Sequence, residues 1–408
     1  MIFILFTNMN IPLIQLPKPS MGRYATVSLY VGHSVYDEPH EYPGINHILE
    51  HVLASNDNID KAIGSKGLQY NAETHGGYVR YWFSTPPEHF DFCLNFLKKI
   101  GSNPNFKHVA REASAVRQEL LTLLEDTEYH MELAQINALF PNSAYARGSN
   151  AELEMKTLHK FDSRTLKNYY EENYVNKVFI VISGGKLVKG AKTIKSIPRN
   201  IVSSIPKIIC NPFPDKKNVV HIQRPEVEKS KCMLTFFNDL PSGESIETLK
   251  DTIMLATQIL SGGLDSLLYR VLREKMQLVY KVSCTADVEP YGIIIEINWS
   301  CDTNKVKVSV EAIFDVLKKF YPLHFEGHKN LYLEQLVKNN TLSSKDIVDI
   351  YGESLVTWGM YTRIEDIIHG VKKIKSNDIN NIIKKFMRKE RCFLIHASSG
   401  SKSPITHI

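Results

Sequence analysis

Gly44-Ile45-Asn46-His47-Ile48-Leu49-Glu50-His51 decides how this chain is read. Gly44 ends a polar loop over residues 36–43, rich in Asp, Glu and Pro, and a helix is predicted from Ile45 to about Ala54. Helical positions i, i+3 and i+4 share one face, so His47, Glu50 and His51 point the same way. Two imidazoles spaced i, i+4 can bind one zinc ion through ring nitrogens at about 2.0–2.1 Å. A carboxylate beside them that is not a ligand can take a proton from an attacking water. The order H-x-x-E-H is the inverse of the common zinc motif.

A zinc ion that does chemistry needs a third protein ligand and an open position. The candidates lie in the helical run Arg111-Glu112-Ala113-Ser114-Ala115-Val116-Arg117-Gln118-Glu119. Glu112 and Glu119 are about two helical turns apart and share a face. One can ligate the metal while the other holds a ligand histidine in its tautomer. A purely structural zinc, normally four-coordinate, has no use for Glu50.

Outward from this run the chain repeats a pattern. Strands are predicted over residues 25–35, twice within 67–84 with a turn near His75-Gly76-Gly77, and over 177–183. Helices fill 88–100, 107–128 and much of 132–170. The apolar patches of residues 1–16 read as a first strand. After a Pro- and Lys-containing stretch come strands near 219–222 and 231–237. A helix from Ile246 leads to Ser261-Gly262-Gly263, and a second is predicted over 264–276. Strands follow over 278–287, 292–300 and 392–396, separated by further helix. Each half places a glycine, Gly44 or Gly263, before a helix, which reads as an internal duplication of pattern without identity. The expectation is an α+β protein of two homologous α/β-sandwich domains, each a mainly antiparallel sheet packed with helices. The domains are expected at 1–190 and 218–408, with a linker over 191–217.

Composition excludes several classes. Of 408 residues, 43% are hydrophobic and 23% charged, which suits a soluble globular chain. The net charge of +5, from 49 basic and 44 acidic residues, is spread thin and gives no basic stripe for nucleic acid. Lys98-Lys99, Lys372-Lys373 and Lys384-Lys385 read as solvated helix faces. The six cysteines form no C-x-x-C pair, so neither a disulfide framework nor a thiolate zinc site is expected. Reduced thiols and the lack of a signal or transit pattern point to an intracellular, cytoplasmic protein. No run of apolar residues is long enough to span a membrane.

With these residues in place, the chain resembles the pitrilysin/insulinase family of zinc peptidases, to which mitochondrial processing peptidase and insulin-degrading enzyme belong. Residues 27–32 with Asp37-Glu38-Pro39 look like the family's opening, and His47, Glu50 and His51 match its zinc helix. Asn71-Ala72 with Thr74 match its edge strand, which pairs with extended substrate. Glu112 and Glu119 match its E-x(6)-E pair, whose later member ligates zinc. Ser143-Ala144-Tyr145 through Asn150-Ala151-Glu152 echo its next loop. Gly262-Gly263-Leu264-Asp265-Ser266 and Leu272-Arg273-Glu274-Lys275 are similar to its G-G-x-x-S and L-R-E-K runs. Arg273 and Tyr280 keep an R-x(6)-Y spacing.

The resemblance implies a zinc metalloendopeptidase for extended or unfolded peptides. Its metal ligands would be His47, His51 and Glu119, with Glu50 as general base and Glu112 behind a ligand histidine. Asn71 and Ala72 would bind substrate, and Arg273 and Tyr280 would touch it near the scissile bond. The family's clamshell takes that Arg and Tyr from the half facing the zinc. A two-domain chain is half a clamshell, so a homodimer or a heterodimer with a related subunit is expected. The chain departs from the pattern in a shorter stretch between His51 and Asn71, in abbreviated strands before Ala25, and in Asn46, where the family prefers a small residue or Pro. Two other readings stay open at this point: a non-catalytic partner or core subunit of the same family, and a zinc-stabilised peptide-binding protein.

Overall fold

Runs rich in Val, Ile, Phe and Tyr form ten strands among the described residues: β1 (Leu13–Gln15), β2 (Ala25–Val31), β3 (Gln69–Thr74), β4 (Val79–Thr85), β5 (Val178–Ser183), β6 (Val219–Gln223), β7 (Ser230–Asn238), β8 (Val282–Glu289), β9 (Gly292–Cys301) and β10 (Cys392–Ser398). The structure is a computed structural model that describes residues 11–16, 24–55, 57–185, 188–189, 191–192, 196–206, 218–243 and 245–408. Residues 1–10 of the expected first strand lie outside the described residues.

The first sheet runs β1-β5-β2-β4-β3 and the second β6-β10-β7-β9-β8. Adding five to each label of the first order gives the second, so the duplication read from sequence is a duplication of topology. In each sheet only the first pair, β1 with β5 or β6 with β10, is parallel. The other pairs are antiparallel. The α+β class with two mainly antiparallel, helix-packed sheets is therefore what the chain adopts.

Two compact units result, and neither is a contiguous half. One comprises residues 1–123, 143–206 and 338–362; the other 124–142, 207–337 and 363–408. In the first unit, the metal-motif helix α1 (Ile45–Ala54) packs on β3 and β4, and the helix Phe90–Ser102 on β2 and β4. The helix Ser344–Trp358, far along the chain, lies on β2 and β5. It buries Ile347, Val348, Tyr351, Leu355 and Val356 with Tyr30, Phe179 and Val181 of the sheet. The approach is close, because a Cβ on Gly352 would stand 2.4 Å from the Tyr30 ring. The Tyr30 hydroxyl donates to the Val348 carbonyl at 3.1 Å.

In the second unit, the helix Ile246–Ser261 packs on β8, and the helix Thr127–Leu139 on β6 and β10. Gln135 of the latter donates from Nε2 to Thr235 Oγ1 at 2.9 Å and to Glu296 Oε1 at 2.6 Å. Sheets of this kind have two apolar faces, and a helix from the other half of the chain covers one face of each. A cut at 190 and 218 separates those helices from the sheets they cover. Within the expected linker, residues 193–195 and 207–217 lie outside the described residues. Ile197, Ile201 and Val202 join the core of the first unit.

The helix expected over 264–276 is the other local departure. Gly263 (φ 154°) holds the chain out of helix, and Ser266 Oγ donates back to the Gly263 carbonyl at 2.7 Å. Tyr269–Lys275 then form a π-helix, with Met276 N–H donating to the Val271 carbonyl at 3.0 Å. π-helical segments are rare and are frequently found at functional sites.

Candidate metal centre

Ile45, Ile48, Leu49, Val52 and Leu53 are buried and anchor α1. Its first turn opens on Gly44 (φ 81°), which has no side chain to satisfy the free N–H groups of a helix start. Glu38 does so instead. Its Oε2 accepts from Gly44 N at 2.8 Å, and its Oε1 from Asn46 N and Nδ2, both at 3.1 Å. Asn46, fully buried, also donates to Tyr169 Oη at 3.2 Å and accepts from Tyr174 Oη at 3.1 Å. An amide at this position therefore ties the helix to three partners, which explains the departure from a small residue or Pro.

Burial pushes the Glu38 carboxyl up to about 7, against the hydrogen bonds from Gly44 and Asn46 that favour its charge. A carboxyl raised in the fold holds its proton to higher pH than in the unfolded chain. Its contribution is full below the usual 4.5 and is lost as pH rises to about 7. The stability of wild type minus that of Glu38→Gln should therefore fall across this window and level off above it. Urea denaturation of the metal-free protein at several pH values reads the difference.

The motif side chains converge. His47, Glu50 and His51 each offer a ligand atom within 4.8 Å of the others. The helix Val109–Glu125 brings Glu119 to them. Its Oε2 lies 3.6 Å from His47 Nε2 and 3.4 Å from His51 Nε2. The Nδ1 atoms face other carboxylates: Glu154 Oε1 stands 2.5 Å from His47 Nδ1, and Glu112 Oε2 stands 3.8 Å from His51 Nδ1. Arg111 Nε donates to the other Glu112 oxygen at 2.8 Å. Glu50 is buried and accepts from Thr74 Oγ1 at 3.4 Å.

Charge follows this geometry. The His47 and His51 rings that face it hold the Glu119 carboxyl well below the usual range. Burial pulls His47 down, but Glu119 and Glu154 outweigh it and leave His47 well above its ordinary value. Burial raises Glu50, the direction a general base near neutral pH needs.

Asn71 and Ala72 lie on β3, the edge of the first sheet, with Ala72 paired to Tyr81 and one side of the strand unpaired among the described residues. Thr74 on the same strand reaches Glu50, so the edge strand and the carboxylate are linked directly. Arg273 and Tyr280 belong to the second unit and lie together. The Arg273 guanidinium sits 4.7 Å from the centroids of both Tyr269 and Tyr280. Tyr280 is 77% exposed. Tyr269 is absent from the sequence reading, since an aromatic four residues before an arginine carries no signal without the π turn. Glu154 is absent too, because it lies 107 residues from His47 in a segment with no local pattern.

Two imidazole nitrogens and one carboxylate oxygen facing a common point, with a further carboxylate beside them, make a donor set that fits zinc. In the equivalent place of the second unit, between β7 and β8, the helix Ile246–Ser261 contains no histidine. A duplicated α+β fold with an H-x-x-E-H helix in its first copy defines the inverted-zincin class.

Comparison with known proteins agrees. A sequence model described as "Insulinase (Peptidase family M16)" matches residues 15–148, and one described as "Peptidase M16 inactive domain" matches residues 160–321. An uncharacterised zinc protease of Rickettsia felis is 23% identical over 366 residues, covering 85% of this chain and 86% of that protein. A protease from Helicobacter pylori shares the fold with a TM-score of 0.77 at 15% identity, over 95% of this chain and 96% of that one. Pitrilysin superposes with a TM-score of 0.68 at 15% identity, over 95% of this chain but 43% of its own length. The chain belongs to the M16, or pitrilysin/insulinase, peptidase family.

Proposed function

We propose that this chain is a zinc metalloendopeptidase that hydrolyses extended or unfolded peptides. The observation that carries the reading is the approach of His47 Nε2 and His51 Nε2 to the same oxygen of Glu119, with buried Glu50 beside them. His47, His51 and Glu119 would hold the metal. When bound, zinc supplies a Lewis acid that polarises a carbonyl and makes water a nucleophile near neutral pH.

The remaining steps belong to side chains. Glu50 accepts the proton of the attacking water and passes it to the leaving amine. The unpaired side of β3 at Asn71 and Ala72 aligns substrate by strand addition, which selects extended peptides. Arg273 has no carboxylate partner among the described residues, and with exposed Tyr280 it is free to donate to a substrate carbonyl. The chain spans 43% of the length of pitrilysin, which supports a two-copy or related-partner assembly in which Arg273 and Tyr280 act on the partner's site. Among the described residues no helix is long and apolar enough to cross a membrane, and the five described cysteines are buried free thiols, which favours a reducing compartment.

The test is zinc content together with cleavage of a quenched peptide library. Purified protein should hold about one zinc per chain. Its cleavage should stop with a chelator and return with zinc. Protein that holds zinc but cleaves nothing, alone or with a related subunit, would be a non-catalytic member of the family. Protein that holds no zinc would defeat the reading entirely.

A further inference from the structure

Glu154 sits behind His47 in a setting built for it. It lies on the helix Ala151–Thr157, whose first turn is capped by Asn150 through Glu152 N and Leu153 N at 3.0 and 3.1 Å. Thr157 Oγ1 donates to the Pro43 carbonyl at 2.6 Å and ties this helix to the loop that leads into α1. Glu154 is 5% exposed. Its room comes from Gly44, where a Cβ would stand 2.0 Å from Glu154 Cγ and 2.5 Å from its Cδ. Gly44 therefore serves two ends, a left-handed helix start and a space that only a residue without a side chain leaves open. Among the described residues, no lysine or arginine pairs with this carboxylate. Its ion-pair partner is the Nδ1 of His47.

We propose that Glu154 is a positioning residue that fixes the His47 ring with its proton on Nδ1 and its lone pair on Nε2, aimed at Glu119. An ionised carboxylate only accepts hydrogen bonds, so the nitrogen facing it must carry the hydrogen. The other nitrogen is then left to the metal, at the end that lies toward Glu119. Glu112 stands in the same relation to His51 at 3.8 Å, a longer and looser contact. The two histidines are thus held unequally, His47 by a buried carboxylate in contact and His51 by one at a distance. The assignment rests on the zinc-binding part of the proposed function and not on peptide cleavage.

The test measures zinc affinity by chelator competition in wild type, Glu154→Gln, Glu154→Ala and Glu112→Gln. It also follows the Nδ1 proton of His47 by nuclear magnetic resonance in the zinc-loaded protein, and the thermal midpoint of each zinc-free protein. Glu154→Gln keeps the shape and an accepting oxygen but not the charge, and should weaken zinc about tenfold; Glu154→Ala should weaken it about 100-fold and lose the hydrogen-bonded Nδ1 resonance. Glu112→Gln should weaken zinc less than Glu154→Gln does. Zinc constants within about twofold of wild type for both Glu154 variants would overturn the assignment. So would an affinity loss matched by an equal loss of fold in the zinc-free protein, since packing alone would explain both. If Glu154→Ala does not fold, the near-isosteric glutamine variant still decides. A wild-type chain that binds zinc without cleaving peptides leaves this test intact, whereas one that binds no zinc overturns both readings.

Discussion

Glu50→Gln should lower peptide hydrolysis by about 10²–10⁴-fold while leaving zinc in place, because a positioned general base contributes about that much. The substituted amide fills the same buried volume and still accepts from Thr74, but it cannot take up a proton. Zinc content and turnover measured on one preparation separate the two effects. Activity within a few-fold of wild type would remove Glu50 from the mechanism. The same variant tests the assembly. Mixed with equal Arg273→Ala copies, a two-fold dimer whose Arg273 serves the partner's site would regain about a quarter of wild-type activity, since about half of the random pairs carry one complete site. If the mixture stays as inactive as its components after subunit exchange, Arg273 does not act across two copies of this chain.

Arg80→Met should destabilise the first unit by about 3 kcal/mol, the lower end for breaking a buried ion pair, because its carboxylate partners keep some contact with water. Arg80 is 2% exposed on β4. Its Nη2 lies 2.9 Å from Asp349 Oδ1 and its Nη1 3.2 Å from Glu353 Oε1, both on the helix Ser344–Trp358. Glu73 on the edge strand stands 3.7 Å from its Nε. The Tyr30 and Trp82 rings lie beside the guanidinium at 5.9 and 5.8 Å. Removing the arginine leaves three carboxylates near one another, with the Lys345 ammonium on Asp349 Oδ2 at 2.5 Å as the remaining lysine counter-charge. The urea midpoint should fall by more than about 1 M. Adding Asp349→Asn and Glu353→Gln to Arg80→Met should recover much of the loss. An unchanged midpoint in Arg80→Met would show that the ion cluster contributes nothing to the fold.

The H-x-x-E-H helix was legible because its information is local. His47, Glu50 and His51 lie within one turn, and the helix over Ile45–Ala54 follows from its own apolar spacing. Glu112 and Glu119 could be paired by counting turns, though their spacing alone leaves open which one meets the histidines. The structure puts Glu119 Oε2 near both Nε2 atoms and Glu112 near His51 Nδ1. Glu154 was not legible, since no helical or strand period links it to His47. Nor was the exchange of helices between the two halves of the chain. The apolar face of Ser344–Trp358 announces that it covers something, but not that it covers β2 and β5. The bond between Tyr30 and Val348 joins residues more than three hundred positions apart. The π turn at Tyr269–Lys275 depends on where Gly263 releases the chain, which the period of apolar residues does not reveal.

That exchange of helices bears on how the protein is made. When residue 185 leaves the ribosome, all five strands of the first sheet have been synthesised, yet the helix that closes one of its faces has not. At a synthesis rate of about 5–20 residues per second, roughly nine to thirty-five seconds pass before residue 358 follows. Throughout that interval Tyr30, Phe179 and Val181 present an uncovered apolar surface to the cell. The nascent chain is thus a natural client for chaperones that shield such surfaces. The same logic forbids separate expression of the two sequence halves, each of which would emerge without the helix that covers its sheet and with one of its partner's in surplus.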